Sequence, residues 1–331
     1  MSFKAILLDK NDTTGFSASI KTIDKQHLVT QQGDTLIKVL YSSINYKDAL
    51  ALTNKSPVVR QWPMVPGIDG VGTIIESSND RYHASDAVIL NGWGCGETHW
   101  GCLAQYAYLK SDWLIPLPQN ITPYQSMIIG TAGYTAALCV KRIVDFGIKP
   151  QSGTVLVTGA SGGVGSVAVA LLSKLGYRVT ASTGKLTDKE YLHKLGASNI
   201  IDSKQLKEAG KPLQKEQWSA VVDVVGSHTL ANVCAQTQYG GIVACCGLAQ
   251  GMDFPATVAP FILRGVTLAG IDSVMASYDN RIAAWNLLAQ YLDDKTLAHI
   301  GNTIRLDECV DTAQNMIAGQ TKGRFVVDVN K

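Results

Sequence analysis

The sequence pattern that most directly indicates chemistry is a glycine-rich turn, TGASGGVGS, at residues 158–166. It follows an apolar segment, TVLVT, and precedes an apolar helical one, VAVALLSKLG. Gly162, Gly163 and Gly165 would let the chain turn sharply and let a pyrophosphate approach the backbone, while the free N–H groups of the helix start would face the phosphates. The match to the GxGxxG fingerprint is partial, because Ala160 occupies its first glycine position. The position between a strand and a helix still predicts a dinucleotide-binding turn.

The end of the next predicted strand distinguishes between the two nicotinamide dinucleotides. NAD sites place an Asp or Glu about 20 residues after the glycines, where it binds the ribose 2′-hydroxyl. The corresponding stretch here, TASTGKLTDK, contains Thr183, Gly184 and Lys185 and reaches its first acid only at Asp188. Hydroxyl groups, a backbone N–H and an ammonium group suit a 2′-phosphate, which needs donors and positive charge. Lys185 could instead be an ordinary surface residue, but the pattern favours NADP(H) as the cofactor.

The elements that must position this turn are alternating strands and helices, which the sequence predicts from about residue 125 onward. Such alternation is typical of βαβ units and a parallel sheet. The strands are apolar without alternation, as expected when helices cover both faces. The predicted helices are residues 122–146, a segment ending near residue 175, and residues 188–196, 227–237 and 280–292. The predicted strands are residues 154–158, 177–182, 199–203, 219–226, 241–247, 266–274 and 323–329.

The part of the chain before residue 125 is predicted to be β-rich. Its short alternating or apolar runs are bounded by Gly, Asp and Asn, which is typical of strands joined by turns. Six of the ten prolines fall in this part, which favours loops over long helices. The predicted strands are residues 4–8, 34–44, 70–77, 86–92 and 104–109.

Composition excludes several classes of function. Lys plus Arg number 29 and Asp plus Glu number 27, a net charge of +2 without a basic run, so we expect no nucleic-acid partner. The most apolar stretches, such as residues 166–172 and 242–248, are far shorter than the roughly 20 residues of a membrane span. The N-terminal sequence lacks a signal-peptide apolar region. The odd number of cysteines, seven, reads as reduced thiols. These observations predict a cytoplasmic protein with a small-molecule substrate.

The segment PGIDGVG at residues 66–72 carries a resemblance to a known family. The chain resembles the medium-chain dehydrogenases/reductases, and within them the zinc-free quinone oxidoreductase-like branch that includes the NADPH-dependent acrylyl-CoA reductase group. In the wider family a Gly-His-Glu motif here supplies the histidine that binds catalytic zinc, and Ile68 stands in its place. The strings that carry the resemblance are residues 42–51, 63–73, 92–107, 127–136, 157–177 and 260–274.

We predict no metal site. Isoleucine cannot bind a metal, and the four closely spaced cysteines of the family's structural zinc lobe are missing. Cys95, His99 and Cys102 form only a partial constellation, whose spacing matches no known zinc motif.

The resemblance implies an α/β fold of two domains and a set of site residues. Residues 126–275 would form a Rossmann-type parallel-sheet cofactor domain, and residues 1–125 with 276–331 a β-rich GroES-like catalytic domain. Asn45 and Tyr46 would line the nicotinamide and the substrate. The implied cofactor contacts are Tyr46, Thr131, Tyr134, Ser161, Gly162, Gly163, Val164, Gly165, Thr183, Gly184, Lys185, Leu248, Ile262, Ser273 and Gln320. Relatives commonly form homodimers, and the apolar strand at residues 266–274 would lie at a sheet edge that can pair with a second copy.

Without a Lewis acid, NADPH suits the reduction of a substrate that is already electrophilic. An α,β-unsaturated thioester or ketone accepts hydride at its β carbon, and its carbonyl oxygen then needs hydrogen-bond donors. Asn45 would donate through its amide and Tyr46 through its phenol, although a strand tyrosine can also simply pack. We expect Asp69 to hold a loop by accepting backbone N–H bonds.

Three functions therefore compete. The first is NADPH-dependent reduction of the C=C bond of a short 2-enoyl-CoA such as acrylyl-CoA. The second is quinone or general enone reduction by the same residues, and the third is a non-catalytic NADPH-binding sensor. A CoA substrate would need cations near the cleft, for which Lys47, Lys55, Arg60 and Arg264 are candidates.

Overall fold

The computed structural model describes residues 2–11, 13, 15–29 and 32–331 of the chain. The strands are β1 (Ser2–Asn11), β2 (Gly15–Asp24), β3 (Thr35–Ile44), β4 (Asp69–Ser77), β5 (Ala87–Asn91), β6 (Tyr106–Leu109), β7 (Leu114–Pro116), β8 (Thr154–Val157), β9 (Arg178–Thr183), β10 (Asn199–Asp202), β11 (Trp218–Asp223), β12 (Thr237–Cys245), β13 (Thr267–Gly270), β14 (Gly301–Arg305) and β15 (Arg324–Asp328). The α-helices are α1 (Lys25–Val29), α2 (Tyr46–Leu52), α3 (Pro123–Asp145), α4 (Gly163–Lys174), α5 (Lys189–Lys194), α6 (Lys204–Lys207), α7 (Ser227–Gln236), α8 (Ala259–Arg264), α9 (Tyr278–Tyr291), α10 (Asp294–Ile300) and α11 (Cys309–Ile317).

The chain divides into two compact units. The first contains the residues up to Thr131 together with Val274–Ile282 and Leu297–Lys331, and the second contains Ala132–Ser273 and Ala283–Thr296. The sequence had suggested that all of residues 276–331 belong with the first domain. The segment Ala283–Thr296, which includes most of α9, instead packs within the second unit.

The second unit is built on a six-stranded sheet whose strands are all parallel. Their order is β10-β9-β8-β11-β12-β13, which is the 3-2-1-4-5-6 order of the Rossmann fold. The central strands β8, β9 and β11 carry mostly buried side chains, since helices cover the sheet, and every residue of β11 is buried. The edge strands β10 and β13 are mostly half-buried or exposed. A core of residues such as Leu156, Val221, Val233 and Val243 lies between the sheet and α7. The predicted parallel sheet is confirmed.

The first unit is built on a mixed seven-stranded sheet. Its order is β14-β15-β3-β4-β5-β7, and β6 pairs with the first half of β3. All pairs are antiparallel except β14 with β15. β1 and β2 form a separate antiparallel ribbon. The predicted fold class, a Rossmann-type sheet domain plus a β-rich domain, is confirmed.

The helix α3 is long and apolar enough to pass for a membrane span. In its most apolar 18-residue window, however, 72% of the residues are buried by the protein itself. Gly130, with φ 50° and ψ −163°, also breaks the helical backbone. The apolar surface of α3 is therefore covered by protein contacts, without any need for lipid.

Several elements differ from the sequence-based expectation. β2 and β14 were not predicted. β14 is polar and shows no apolar alternation, whereas β2 does alternate Phe16, Ala18 and Ile20 with serines, a strand signal that the sequence analysis did not use. The helices α2, α10 and α11 were also missed. β13 ends at Gly270 rather than near residue 274, so Ser273 follows the strand instead of ending it.

Candidate active site

The glycine-rich turn of the second unit joins β8 to α4 and leaves the helix start without a side-chain cap. The first helical N–H groups therefore lack carbonyl partners within the helix, as an anion-binding helix start requires. Gly162, the N-cap, is exposed. The tight-turn glycine is Gly159, with φ +56°; sequence matching had assigned that role to the position of Ala160. A Cβ at Gly165 would collide with the carbonyl oxygen of Gly159, so close packing of helix on strand requires glycine there.

The segment after β9 is hydrogen-bonded to this turn. The hydroxyl groups of Ser161 and Thr183 lie 2.9 Å apart, and the backbone N–H of Lys185 donates to Thr183 Oγ1 at 3.0 Å. Ser182 Oγ is buried without a hydrogen-bond partner among the described residues. Gly184 is exposed and Lys185 is half-buried. Hydroxyls, an open glycine and one cation beside a bare helix start fit the pyrophosphate and the 2′-phosphate that NADP(H) would bring here.

The other predicted cofactor residues have varied surroundings. Tyr134 is fully buried within α3, whereas Leu248 and Ile262 are 55% and 73% exposed. Ser273 lies just after β13 in the second unit. Gln320 lies in the first unit, after α11, where it helps to line a polar cavity of about 400 Å³. Their contact with a cofactor stays a prediction.

In the first unit, a buried carboxylate organises the predicted catalytic residues. Asp69, at the start of β4, has no exposed surface. It accepts hydrogen bonds from Ser43 Oγ at 2.6 Å, Asn45 Nδ2 at 2.7 Å and Asn91 Nδ2 at 2.6 Å. Thr131 donates to it through both its backbone N–H and its hydroxyl. The prediction that Asp69 accepts a backbone N–H is confirmed.

Arg324, the first residue of β15, supplies the positive charge of this cluster and was not predicted. Its guanidinium lies 3.4 Å from Asp69 Oδ2 and donates to Ser43 Oγ at 2.7 Å and to Asn45 Oδ1 at 2.9 Å. Burial lowers the pKa of Arg324, and the charges of Asp69 and Asp48 oppose that effect. An arginine at the start of a strand, directly before the apolar residues 325–327, is a signal that sequence analysis could have used, because a buried charge requires a partner.

A second buried acid, Asp48, was also missed. Its Oδ1 accepts hydrogen bonds from the backbone N–H groups of Gly67 and Ile68, and its Oδ2 accepts one from the backbone N–H of Asn45 at 2.9 Å. Burial raises the pKa of Asp48 to about 6, while the hydrogen bond from Asn45 opposes that rise. Asp48 thereby fixes the loop that carries Ile68 against the start of α2.

These contacts change the role expected of Asn45. Its amide donates to Asp69 Oδ2 at 2.7 Å and to Asp48 Oδ2 at 3.2 Å, and its oxygen accepts from Arg324. Both amide hydrogens are therefore already used, and none remains to donate to a substrate carbonyl. Asn45 is a positioning residue in this geometry. The direct action of its amide on the substrate stays a prediction, which these contacts disfavour.

Tyr46 has the opposite environment. It begins the helix α2 rather than lying within a strand, and it is 47% exposed. Its phenol does not pack into the core, which was the alternative that the sequence left open. Of the two predicted catalytic side chains, Tyr46 is the one accessible to a substrate.

The positions considered for a metal site are all buried. Ile68 is buried, at 6% exposure. Burial raises the pKa of the Cys95 and Cys102 thiols, which favours the thiol over the metal-binding thiolate. Within residues 2–11, 13, 15–29 and 32–331, no cluster of three or more His, Cys, Asp or Glu side chains has the arrangement of a metal site.

Two family models match the two units. Residues 31–119 match the alcohol dehydrogenase GroES-like domain, and residues 163–290 match the zinc-binding dehydrogenase model. A GroES-like domain beside a Rossmann-type domain with this turn defines the class of medium-chain dehydrogenases/reductases.

Full-length relatives show which group within this class the chain belongs to. The chain is 47% identical to the probable acrylyl-CoA reductase AcuI of Escherichia coli, over 99% of this chain and 100% of the relative. It is 45% identical to the acrylyl-CoA reductase AcuI of Ruegeria pomeroyi, over 99% of each. It is 42% identical to the putative quinone oxidoreductase YhfP of Bacillus subtilis, over 98% of each. The chain belongs to this acrylyl-CoA reductase and quinone oxidoreductase-like group of the medium-chain dehydrogenases/reductases.

Solved structures agree with this assignment. The YhdH oxidoreductase from Salmonella enterica, in complex with NADP, superposes with a TM-score of 0.96 at 46% identity, over 99% of this chain and 100% of that one. The B. subtilis YhfP protein, with NAD bound, gives a TM-score of 0.94 at 42% identity, over 99% and 100%.

Proposed function

We propose that this protein is an oxidoreductase that uses NADPH to reduce the C=C bond of a short 2-enoyl-CoA such as acrylyl-CoA. The observation that carries this proposal is the full-length identity, 47% and 45%, with two proteins described as acrylyl-CoA reductases. The product is the saturated acyl-CoA.

The cofactor is NADP(H), held by the second unit. The bare start of α4 takes the pyrophosphate, and Ser161, Thr183, Gly184 and Lys185 form the 2′-phosphate region. The solved relative from S. enterica holds NADP. When bound, NADPH supplies a hydride to the β carbon of the substrate.

The chain's own residues must then stabilise negative charge on the thioester oxygen and provide a proton to the α carbon. Of the two predicted catalytic side chains, the exposed Tyr46 hydroxyl is the one that can donate to that oxygen. Asn45 positions Tyr46, because its amide donates to Asp48 and Asp69 and thereby fixes the start of α2. The proton for the α carbon comes from Tyr46 or from water.

Quinone or general enone reduction is the second candidate. It is favoured by the 42% identity with a relative described as a putative quinone oxidoreductase. The same hydride and the same Tyr46 hydroxyl would serve a quinone carbonyl.

The test is NADPH consumption at 340 nm with acrylyl-CoA, crotonyl-CoA and a quinone, each repeated with NADH. We expect acrylyl-CoA with NADPH to have the highest kcat/KM, and activity to survive EDTA because Ile68 leaves no histidine for zinc. A quinone turned over in preference to acrylyl-CoA would overturn the proposal in favour of the second candidate. Hydride transfer to any of these substrates would exclude a non-catalytic sensor.

Assembly and location complete the proposal. Within the described residues β13 pairs only with β12, so its other edge can pair with a second copy. Val258 and Leu263, just before that strand, are 65% and 62% exposed, an apolar surface that suits a homodimer contact. We further propose a cytoplasmic location, because all seven cysteines are free thiols and five of them are buried.

A further inference from the structure

A second cavity of the first unit is not used by the chemistry above. It measures about 410 Å³, within the roughly 300–1,000 Å³ typical of ligand sites. Its wall includes Trp93, His99, Lys110 and Trp113 together with Gln61. The rings of Trp93 and Trp113 lie nearly parallel with centroids 6.3 Å apart, and His99 meets Trp113 edge-on at 5.0 Å. We call this cavity the indole pocket.

Two buried polar atoms of the indole pocket have no hydrogen-bond partner among the described residues. They are Nε1 of Trp93 and Nε2 of His99, and His99 is only 6% exposed. Leaving such buried atoms unsatisfied destabilises the fold, unless a ligand or water completes their hydrogen bonds. The described residues of the protein therefore do not by themselves satisfy the hydrogen-bonding groups of the pocket.

Of these two atoms, one accepts a hydrogen bond and the other donates one. The Nδ1 atom of His99 lies 2.9 Å from the carbonyl oxygen of Trp100, which can only accept, so Nδ1 carries the ring proton. Burial lowers the pKa of His99, against the opposing effect of backbone hydrogen bonds with Trp100 and Gln32, which favours the neutral ring. His99 Nε2 is then an acceptor, whereas Trp93 Nε1–H is a donor.

The remaining groups of the pocket favour an anionic ligand. Lys110 holds its ammonium group 5.2 Å from the centre of the Trp113 ring, and none of the lining residues carries a carboxylate. The loop that contributes His99 is also tied to the candidate catalytic helix. Lys47, the residue after Tyr46, pairs with Glu97 at 2.7 Å.

We propose that the indole pocket binds the pantetheine arm of a CoA thioester. An amide of the arm accepts from Trp93 Nε1–H through its oxygen and donates to His99 Nε2 through its N–H. Lys110, in the same lining, supplies the positive charge that the phosphates of CoA require. A quinone offers acceptors but no donor, so it leaves His99 Nε2 unsatisfied. This inference rests on the proposed function, and it makes the pocket the feature that distinguishes CoA thioesters from quinones.

The test is calorimetric binding of free CoA to the full-length protein saturated with NADP⁺, so that binding of the CoA nucleotide at the dinucleotide site cannot account for the signal. His99→Asn keeps a donor for the Trp100 carbonyl but removes the acceptor at the Nε2 position. His99→Gln places an amide at the Nε2 position instead. Lys38→Met is the control, because Lys38 is an exposed residue of β3 outside the pocket.

We expect His99→Asn to raise the Kd for CoA about 5- to 10-fold, the size of one lost hydrogen bond. His99→Gln should recover part of that loss, and Lys38→Met should change nothing. Should His99→Asn fail to fold, Trp93→Phe and Lys110→Met replace it with the same expected direction. An unchanged Kd in the pocket variants, or no CoA binding by the wild-type protein, overturns the inference.

Turnover separates this inference from the proposed function. If the inference holds, His99→Asn raises KM for acrylyl-CoA but not for a small enone without an amide, such as methyl vinyl ketone. If acrylyl-CoA is reduced and its KM is the same in both proteins, the pocket proposal alone fails. If acrylyl-CoA is not reduced by the wild-type protein while the enone is, the proposed function fails.

Discussion

Asn45 and Tyr46 are adjacent in the chain, yet their environments differ at the scale of single residues. Asn45 is 7% exposed and is bound to two acids and one arginine. Tyr46 is 47% exposed at the first position of α2. The buried residue therefore sets the position of the exposed one, because its hydrogen bonds fix the point where the strand β3 passes into the helix.

Tyr46→Phe is expected to lower kcat for acrylyl-CoA roughly 10- to 100-fold, somewhat less than the loss of a backbone oxyanion donor because water can partly replace the phenol. The Kd for NADPH should change less than about twofold. Stopped-flow absorbance at 340 nm measures the first, and fluorescence titration the second. Tyr239→Phe, at a position 78% exposed on the second unit, is the control. An unchanged kcat in Tyr46→Phe would remove the phenol from the mechanism.

The raised pKa of Asp48 predicts a pH dependence of stability. In the folded protein that pKa is about 6, above the ordinary value of 3.8. The folded state thus holds the proton more tightly than the unfolded state, so this carboxyl stabilises the fold below pH 4 and loses that contribution as pH rises through 6.

Asp48→Asn, which cannot ionise, removes this dependence. The free energy of unfolding of the variant, minus that of the wild type, should increase by on the order of 2–3 kcal/mol between pH 4 and pH 7. Urea unfolding at pH 4, 5.5 and 7 measures it, with Asp112→Asn as an exposed control. A difference that stays constant over this range would mean that Asp48 has an ordinary pKa.

At the scale of elements, the turn between β8 and α4 contains glycines required for different reasons. A Cβ at Gly165 would collide with the backbone of Gly159 and Ala160, whereas a Cβ at Gly162 would meet only Gly159 O, at 3.3 Å. The fold itself therefore needs glycine at position 165. Gly162 instead leaves open the space through which a pyrophosphate would approach.

Gly162→Ala and Gly165→Ala should therefore behave differently. We expect Gly162→Ala to keep the wild-type melting temperature without cofactor and to raise the Kd for NADPH about tenfold or more, which corresponds to 1.4 kcal/mol. Gly165→Ala should lose roughly 1–3 kcal/mol of stability from overpacking. Scanning calorimetry and NADPH titration measure the two effects. Equal stability losses in both variants would contradict this division of roles.

The elements also show how far sequence alone could go. The parallel sheet and the glycine turn were predictable, because apolar runs and glycines at fixed offsets are local signals. The cluster of Asp48, Asp69 and Arg324 was not, since these residues come from three elements far apart in the chain and meet only through packing. β14 was missed for another reason, as a short polar strand has no periodicity to detect.

At the scale of the whole molecule, the apolar surface before β13 predicts an assembly. In multi-angle light scattering at micromolar concentration, the protein should have twice the 35.5 kDa mass of one chain. Leu263→Lys should shift it toward the monomer, because a charge in an apolar contact is costly. Val144→Lys, at a position 43% exposed on α3, should stay dimeric. A monomeric wild-type protein would overturn the proposed assembly.

The charge cluster around Asp69 has an evolutionary consequence. A catalytic zinc site needs three protein ligands, and Ile68→His would supply one. Asn45, Asp48 and Asp69 are already bound to one another, to backbone N–H groups and to Arg324. Recruiting any of them as a ligand would leave a buried charge or donor without its partner, at a cost of several kcal/mol. A lineage with this network can therefore build a zinc site from Ile68→His and these residues only by giving up those buried contacts.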